Sequence, residues 1–164
     1  AALSLTLTGS QGKVMKESMS VAKSVAWTLL PSRLKSKLNN EWKKTGNKGI
    51  HIHCPEGAVP KDGPSAGTAI TTAIYSLLNN KVIKKDVAIT GEINLQGCVT
   101  AIGGLELKIL GGIKAGVKTF IFPEENLKDY NKFIEKYKPK NIIPDHIKFI
   151  NVNNIQEVLK IVFE

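Results

Sequence analysis

The stretch that most constrains this chain is Pro55-Glu56-Gly57-Ala58-Val59-Pro60-Lys61-Asp62-Gly63-Pro64-Ser65-Ala66-Gly67. Its three prolines fix backbone angles and deny the segment a place inside a sheet or a helix. An alternating run, Ile50, His51, Ile52, His53, precedes it and reads as a strand. Residues 68–78 follow it, small and apolar, and read as a buried helix. The order is therefore strand, stiff loop, serine, helix. Amides at a helix N-terminus lack intrahelical partners, and the dipole there favours negative charge. Ser65 thus stands beside donors suited to an oxyanion, with the backbone of Gly63, Pro64, Ser65 and Ala66 as the candidate cradle. The commoner use of Asp62 or Ser65 before a helix is as an N-cap, and spacing alone favours that reading.

The rest of the sequence narrows the classes. The chain has 164 residues, of which 42% are hydrophobic, enough for one domain with its own core, residues 1–164. No apolar run approaches the ~20 residues of a membrane span, and the opening alternation reads as a strand rather than a leader. Cys54 and Cys98 make no disulfide framework, so unpaired thiols are expected. The net charge of +9 raises a nucleic-acid reading. The lysines are scattered, however, without an aromatic-interleaved stripe, so a solvated basic surface is expected instead. No phosphate-binding Gly-x-x-x-x-Gly-Lys-Ser/Thr loop occurs. His51 and His53 share one face of a strand in the manner of a metal pair, but no further ligand sits at a suitable spacing. Orienting or packing roles beside the site are expected of them, and no metal. Ser20-x-x-Lys23, Ser32-x-x-Lys35 and Lys44-Thr45-Gly46 echo a penicillin-binding pattern. Its Ser-Asp-Asn element is missing, so that chemistry is set aside.

Taken in order, residues 3–8 alternate as a half-buried strand. From Lys13 the period becomes helical, with Val14, Ser18, Val21, Ala22, Val25 and Leu29 on one face, ending near Leu30 before Pro31. Residues 34–47 read as a short helix and a loop. After the serine helix, residues 86–93 read as one strand and 97–102 as its hairpin partner. Gly103-Gly104 opens a helix with Leu105, Ile109, Leu110 and Ile113 inward. Residues 117–122 form a strand, 123–136 an amphipathic helix, 147–152 a strand and 155–163 a last helix. This interleaving with a hairpin gives an α+β class with a mixed sheet.

A serine hydroxyl needs a base to become a nucleophile. His51, His53 and His146 leave a Ser-His-Asp triad open, although no Gly-x-Ser-x-Gly elbow surrounds Ser65. The other base is a lysine whose amine is kept neutral by desolvation, as in Ser-Lys variants of the triad. Lys108, among Leu105, Leu107, Ile109 and Leu110, is the candidate for burial. Snorkelling to solvent is the ordinary alternative for such a side chain.

Pro60-Lys61-Asp62-Gly63-Pro64-Ser65-Ala66-Gly67 resembles the nucleophile motif of the Lon family of ATP-dependent serine proteases. Gly9-Ser10-Gln11-Gly12-Lys13-Val14-Met15-Lys16-Glu17-Ser18 resembles the opening of Lon proteolytic domains, and Ile89-Thr90-Gly91-Glu92-Ile93 is again Lon-like. Gly103-Gly104-Leu105-Glu106-Leu107-Lys108 is similar to the family's Gly-Gly-Leu/Ile-Lys-Glu-Lys. The resemblance implies the Lon proteolytic fold, similar to the second domain of ribosomal protein S5. It implies Ser65 as nucleophile, Lys108 as base, Thr90 as the threonine beside that dyad, and Asp62 as the acid of the nucleophile loop. Glu106 and Leu107 depart from the family's lysine and glutamate, which puts subunit or surface contacts of that helix in question more than the dyad.

The resemblance covers essentially the whole chain but only the family's C-terminal proteolytic domain. It implies an endopeptidase domain of a larger enzyme that degrades unfolded or damaged proteins. It implies a hexameric ring, ATP and Mg held by an ATPase module this chain does not contain, and no cofactor here. It points to an intracellular setting, mitochondrial matrix or bacterial cytoplasm, with no membrane, and leaves DNA binding open but not indicated by this domain. The rival reading is a catalytically silent Lon-like or S5-like module that binds nucleic acid or protein; the presence of both Ser65 and Lys108 favours the enzyme. A carboxylate brought against Lys108 would stabilise its ammonium. An inactive loop with Asp62 near Lys108 is therefore expected to alternate with an active one.

Overall fold

Strand β6, Thr119–Pro123, is apolar on both faces and carries the two sides of the core. A computed structural model describes residues 3–55 and 62–163. In chain order the elements are β1 (Ser4–Thr8), α1 (Lys13–Leu29), α2 (Ser32–Thr45), β2 (Gly49–His53), α3 (Gly67–Asn79), β3 (Val87–Ile89), β4 (Glu92–Ile93) and β5 (Val99–Thr100). There follow α4 (Leu105–Lys114), β6, α5 (Leu127–Tyr137), β7 (Lys148–Val152) and α6 (Ile155–Phe163). The expected loop of residues 56–61, with Pro60 and Lys61 of the motif, lies outside the described residues.

β3, β6 and β7 form a parallel sheet with β6 in the middle, β1 and β2 pair in parallel, and β4 with β5 makes an antiparallel hairpin. Parallel and antiparallel pairings thus coexist with interleaved helices, the α+β class expected. Side chains of β6 alternate across the sheet. Ile121 packs with Val25, Ile93, Val99, Val152 and the α6 residues Ile155, Val158 and Val162. Phe120 and Phe122 face the other way, into Leu105, Ile109 and Phe133 of α4 and α5. A third cluster joins Ala22 and Ala26 of α1, Trp42 of α2, Ile50 of β2 and Ile74 of α3. The 34–47 region is more helical than expected, because Trp42 is buried and packs on Trp27 at 5.7 Å between ring centres. No helix among the described residues is long and apolar enough to cross a membrane.

Residues 86–93 correct the single strand expected there. The run breaks at Thr90-Gly91, and its halves join different sheets: β3 lies beside β6, β4 beside β5. The break is a matter of room at Gly91. A methyl group at that position would lie 2.6 Å from Cγ1 of Val99 and 2.9 Å from Oγ1 of Thr68. The Gly91 carbonyl accepts from Thr68 N–H at 3.1 Å, and its N–H donates to the Ser65 carbonyl at 3.0 Å. The end of β3 and the start of α3 are thereby joined through main chain alone.

Helix α3 is lined with threonines rather than only apolar residues. Thr68, Thr71 and Thr72 are fully buried. Thr71 and Thr72 satisfy their hydroxyls on the carbonyls of Gly67 and Thr68, at 2.8 and 2.9 Å. Small residues let α3 approach α1 closely, and a methyl on Gly67 would meet the Ser18 hydroxyl at 2.8 Å. From the close approach at position 91, Gly91→Ala is expected to destabilise the fold by about 1–3 kcal/mol, the usual penalty for overpacking. Urea unfolding of parent and variant measures it, and an unchanged midpoint would contradict the proposed crowding.

Candidate active site

Ser65 stands in the turn immediately before α3, where residue 66 is the N-cap. The cap residue is Ala66, and no side chain caps this helix. Neither Asp62 nor Ser65 therefore serves as the cap of α3, which overturns the reading that spacing alone favoured. Gly67 N–H is occupied by the Pro64 carbonyl at 3.1 Å, Thr68 N–H by Gly91, and Gly63 N–H by the Asp62 carboxylate at 2.9 Å. Pro64 has no N–H to give. Of the four-residue cradle expected from sequence, the amides of Ser65 and Ala66 are the ones without a partner among the described residues.

A cavity of about 440 Å³ opens beside this turn. Ser65 and Ala66 border it on one side, and Ala88, Ile89 and Thr90 at the end of β3 on another. Lys108, Gly111, Gly112 and Ala115 of α4 and its C-cap, with Val117 and Phe120, complete the wall. The site lies at the carboxyl end of a parallel strand, where open α/β sheets commonly place their ligands. Gly111 contributes by lacking a side chain, since a methyl there would project into open space.

Lys108 is half-buried and reaches Thr90, Nζ donating to Oγ1 at 3.4 Å. Its surroundings differ from those expected. Leu107 is 75% exposed and points away; the apolar walls come from β3 and β6 instead. Desolvation lowers the Lys108 pKa from the ordinary 10.5. Lys108 is also the fourth residue of α4, close to the positive end of that helix, which disfavours its cation further. Thr90 is itself buried, and its N–H is held by the Ile121 carbonyl at 3.0 Å.

The structure brings Ser65, Thr90 and Lys108 to one cavity. Ser65 Oγ has no hydrogen bond to Lys108 here, and none to another group among the described residues. Asp62 does not line the cavity; its Oδ1 accepts from Met15 N–H of α1 at 2.8 Å. This is the arrangement in which Asp62 stands clear of Lys108. His51 and His53 lie elsewhere as well, on the exposed face of β2, where both rings bond the Thr8 hydroxyl at 2.7 and 2.8 Å. Those bonds tie the exposed ends of β1 and β2 together, away from the cavity. Cys54 and Cys98 are free thiols, as expected.

Three contributors escaped sequence reasoning. Gly91 and the pair Gly111-Gly112 left a visible signal, glycines inside a strand run and inside a helix, marking close approach at Gly91 and Gly112 and open cavity space at Gly111. Asn126 left none. It is buried, and its amide clamps both backbone groups of Ile102 at 2.9 Å, fixing the approach to α4.

A lysine with a folded pKa below its unfolded value costs stability. The cost is fully present while both states are protonated and vanishes once pH exceeds the unfolded value. Lys108→Met is therefore expected to raise the denaturation midpoint at pH 7, with the advantage narrowing as pH rises through the folded pKa of Lys108 and gone above about pH 10.4. Chemical denaturation at the two pH values tests this; a less stable variant at pH 7 would show that Lys108 is not strained by burial.

Comparison with known proteins places the chain in a family. Residues 2–164 match the family profile of the Lon protease (S16) C-terminal proteolytic domain. A Lon protease of Vibrio parahaemolyticus is 45% identical over 161 residues, covering 98% of this chain and 19% of the relative. A Lon protease of Clostridium acetobutylicum is 46% identical over 156 residues, covering 95% of this chain and 19% of the relative. A Lon protease of Fusobacterium nucleatum is 47% identical over 134 residues, covering 82% of this chain and 17% of the relative. The chain spans about one fifth of the length of these relatives. With the match extending from residue 2 to residue 164, the chain belongs to the Lon protease family, as its C-terminal proteolytic domain.

Proposed function

We propose that this chain is the peptide-cleaving part of a longer, ATP-dependent serine endopeptidase, with Ser65 as nucleophile and Lys108 as general base. One observation carries the reading: Ser65 and Lys108 line the same cavity, and the lysine is held there by Thr90 in a desolvated setting. A neutral amine can donate one N–H to Thr90 Oγ1 and keep its lone pair for the serine. Ser65 Oγ attacks a peptide carbonyl as Lys108 Nζ takes its proton, and the tetrahedral oxyanion is received by the amides of Ser65 and Ala66. The lysine then returns the proton to the departing amine, and a water repeats the cycle to release the acyl group. Thr90 fixes the direction of the amine rather than reacting.

The cavity walls, Ala88, Ala115, Val117 and Phe120, suit an apolar side chain next to the scissile bond. A groove of about 430 Å³ bordered by Pro64, Val14 and Ser18 gives room for an extended peptide to continue past the serine. The substrates proposed are unfolded or damaged proteins. We assign the proposed ring of six, and the ATP and Mg of an ATPase module, to a longer enzyme like the relatives, of whose length this chain spans about a fifth. Its bacterial relatives favour the bacterial cytoplasm as the setting.

Within the intact protease, Ser65→Ala and Lys108→Arg are each expected to lower kcat for a fluorogenic peptide by about 10³-fold or more, since a guanidinium cannot act as base. Thr90→Val is expected to cost less, because the base remains. The rate should rise with pH along an acid limb lying below 10.5, as Lys108 loses its proton. Hydrolysis by Ser65→Ala within a few-fold of the parent would remove Ser65 from the role, and an active Lys108→Arg would do the same for the lysine. Salt-sensitive nucleic-acid binding by an inactive parent would favour the silent module instead.

A further inference from the structure

Helix α1 begins without the devices that usually satisfy a first turn. Its N-cap is Gly12, no side chain of its own caps it, and no acidic residue lies in its first turn. The amide at the third helical position, Met15, has no intrahelical partner by geometry. Asp62, 47 positions further on, fills that place: its Oδ1 accepts from Met15 N–H at 2.8 Å. The same oxygen accepts from Gly63 N–H at 2.9 Å, so one carboxylate ties α1 to the turn that leads into the serine. Gly12 is what lets it come so close, since a methyl group at position 12 would lie 2.6 Å from Oδ2 and 2.7 Å from Cβ of Asp62. One helical turn beyond Met15, on the same face, Ser18 Oγ donates to the Pro64 carbonyl at 3.4 Å. The two residues that α1 grips, Asp62 and Pro64, flank Gly63, and Ser65 follows at once.

We infer that Asp62 is a positioning residue, a helix cap supplied to α1 from a distant loop, with Gly12 as its seat. This latch fixes where Ser65 stands relative to Lys108. Asp62 touches neither the cavity nor the lysine, so it acts through the loop's placement and not through charge at the reacting atoms. A carboxylate at a helix N-terminus also gains from the helix dipole, which favours this seat over others within its reach. The inference rests on the proposed role of Ser65, but its first test does not.

That test is amide hydrogen exchange on the folded chain. Met15 N–H is expected to be protected, while Lys13 and Val14, equally without intrahelical partners, exchange freely. Asp62→Ala and Gly12→Ala should each speed Met15 exchange by about tenfold or more, as the bond is worth on the order of one tenfold step. The second arm is peptide hydrolysis in the intact protease. Asp62→Ala and Gly12→Ala are expected to lower kcat by about 10- to 100-fold through misplacement of the serine, with KM within about twofold. Their losses should not multiply in the double variant, because both remove one contact. Asp62→Asn, whose amide oxygen still accepts from Met15, should stay within about threefold of the parent. A Met15 amide that exchanges as fast as Lys13 and Val14 in the parent would overturn the latch, as would multiplying losses or an Asp62→Asn as impaired as Asp62→Ala. Hydrolysis surviving Ser65→Ala would overturn the nucleophile alone and leave the exchange measurement to decide the latch.

Discussion

Two peptide hydrogen bonds on either side of Gly91 set the geometry of the whole site. Its N–H holds the Ser65 carbonyl, and its carbonyl holds Thr68 N–H. One residue earlier, Thr90 N–H is hooked to Ile121 of the central strand. The nucleophile turn, the end of β3 and the core of β6 thus form one main-chain network. Peptide units are rigid, so the hydroxyls of Ser65 and Thr90 inherit positions fixed by backbone, the most exact support a protein can supply. The requirement falls on a residue with no side chain, because Val99 and the Thr68 hydroxyl occupy the space a Cβ would need. Core, strand break and site are consequences of that one close approach.

Only Lys108 arrives on a long, flexible side chain, and flexibility works against a base that must stay neutral. A surface lysine gains by swinging its ammonium into water. Here the side chain crosses a wall built from β3 and β6, and its amine meets a threonine oxygen rather than a carboxylate. Had Asp62 lain against it, the ion pair would have held the proton on the amine. The carboxylate is engaged at α1 instead, so burial acts on Lys108 without an opposing anion. Seating Asp62 and desolvating the lysine are therefore parts of one arrangement. The seat at the start of α1 that keeps Ser65 in place also keeps the acid away from the base.

Sequence periodicity was enough to locate nearly every helix and strand, since their apolar faces repeat with the periods of helix and strand. The roles given to Ser65 and Lys108 came from a family resemblance instead, since spacing alone favoured a helix cap at that turn. What could not be read were contacts between residues distant in the chain. The strand at residues 86–93 looked continuous because nothing in its own composition shows that Val99 and Thr68 crowd position 91. Asp62 looked like a cap for the helix that follows the loop, whereas it caps one that starts 49 residues earlier, at Lys13. The imidazoles of His51 and His53 share a face, as their spacing required, but that face turned out to be the solvent side of β2. A two-residue period fixes which side chains travel together and says nothing of which side is covered.

Helix α4 separates the two kinds of constraint within ten residues. Its inner side, Leu105, Ile109 and the Gly111-Gly112 pair, is dictated by the core and the cavity; a methyl on Gly112 would press on the Phe120 ring at 3.2 Å. Its outer side carries Glu106 and Leu107, the two departures from the family pattern. Glu106 has found partners within this chain, accepting from Lys136 Nζ at 2.8 Å and from the Tyr137 hydroxyl, both on α5. Those bonds hold its carboxyl below the usual range. An exposed pair of this kind adds little to stability, but it gives the reversed charge a local counterpart. Leu107 remains 75% exposed beside it. Neither Glu106 nor Leu107 lines the cavity or touches Thr90, so charge and polarity on the outer face do not bear on the lysine that the inner face holds in place.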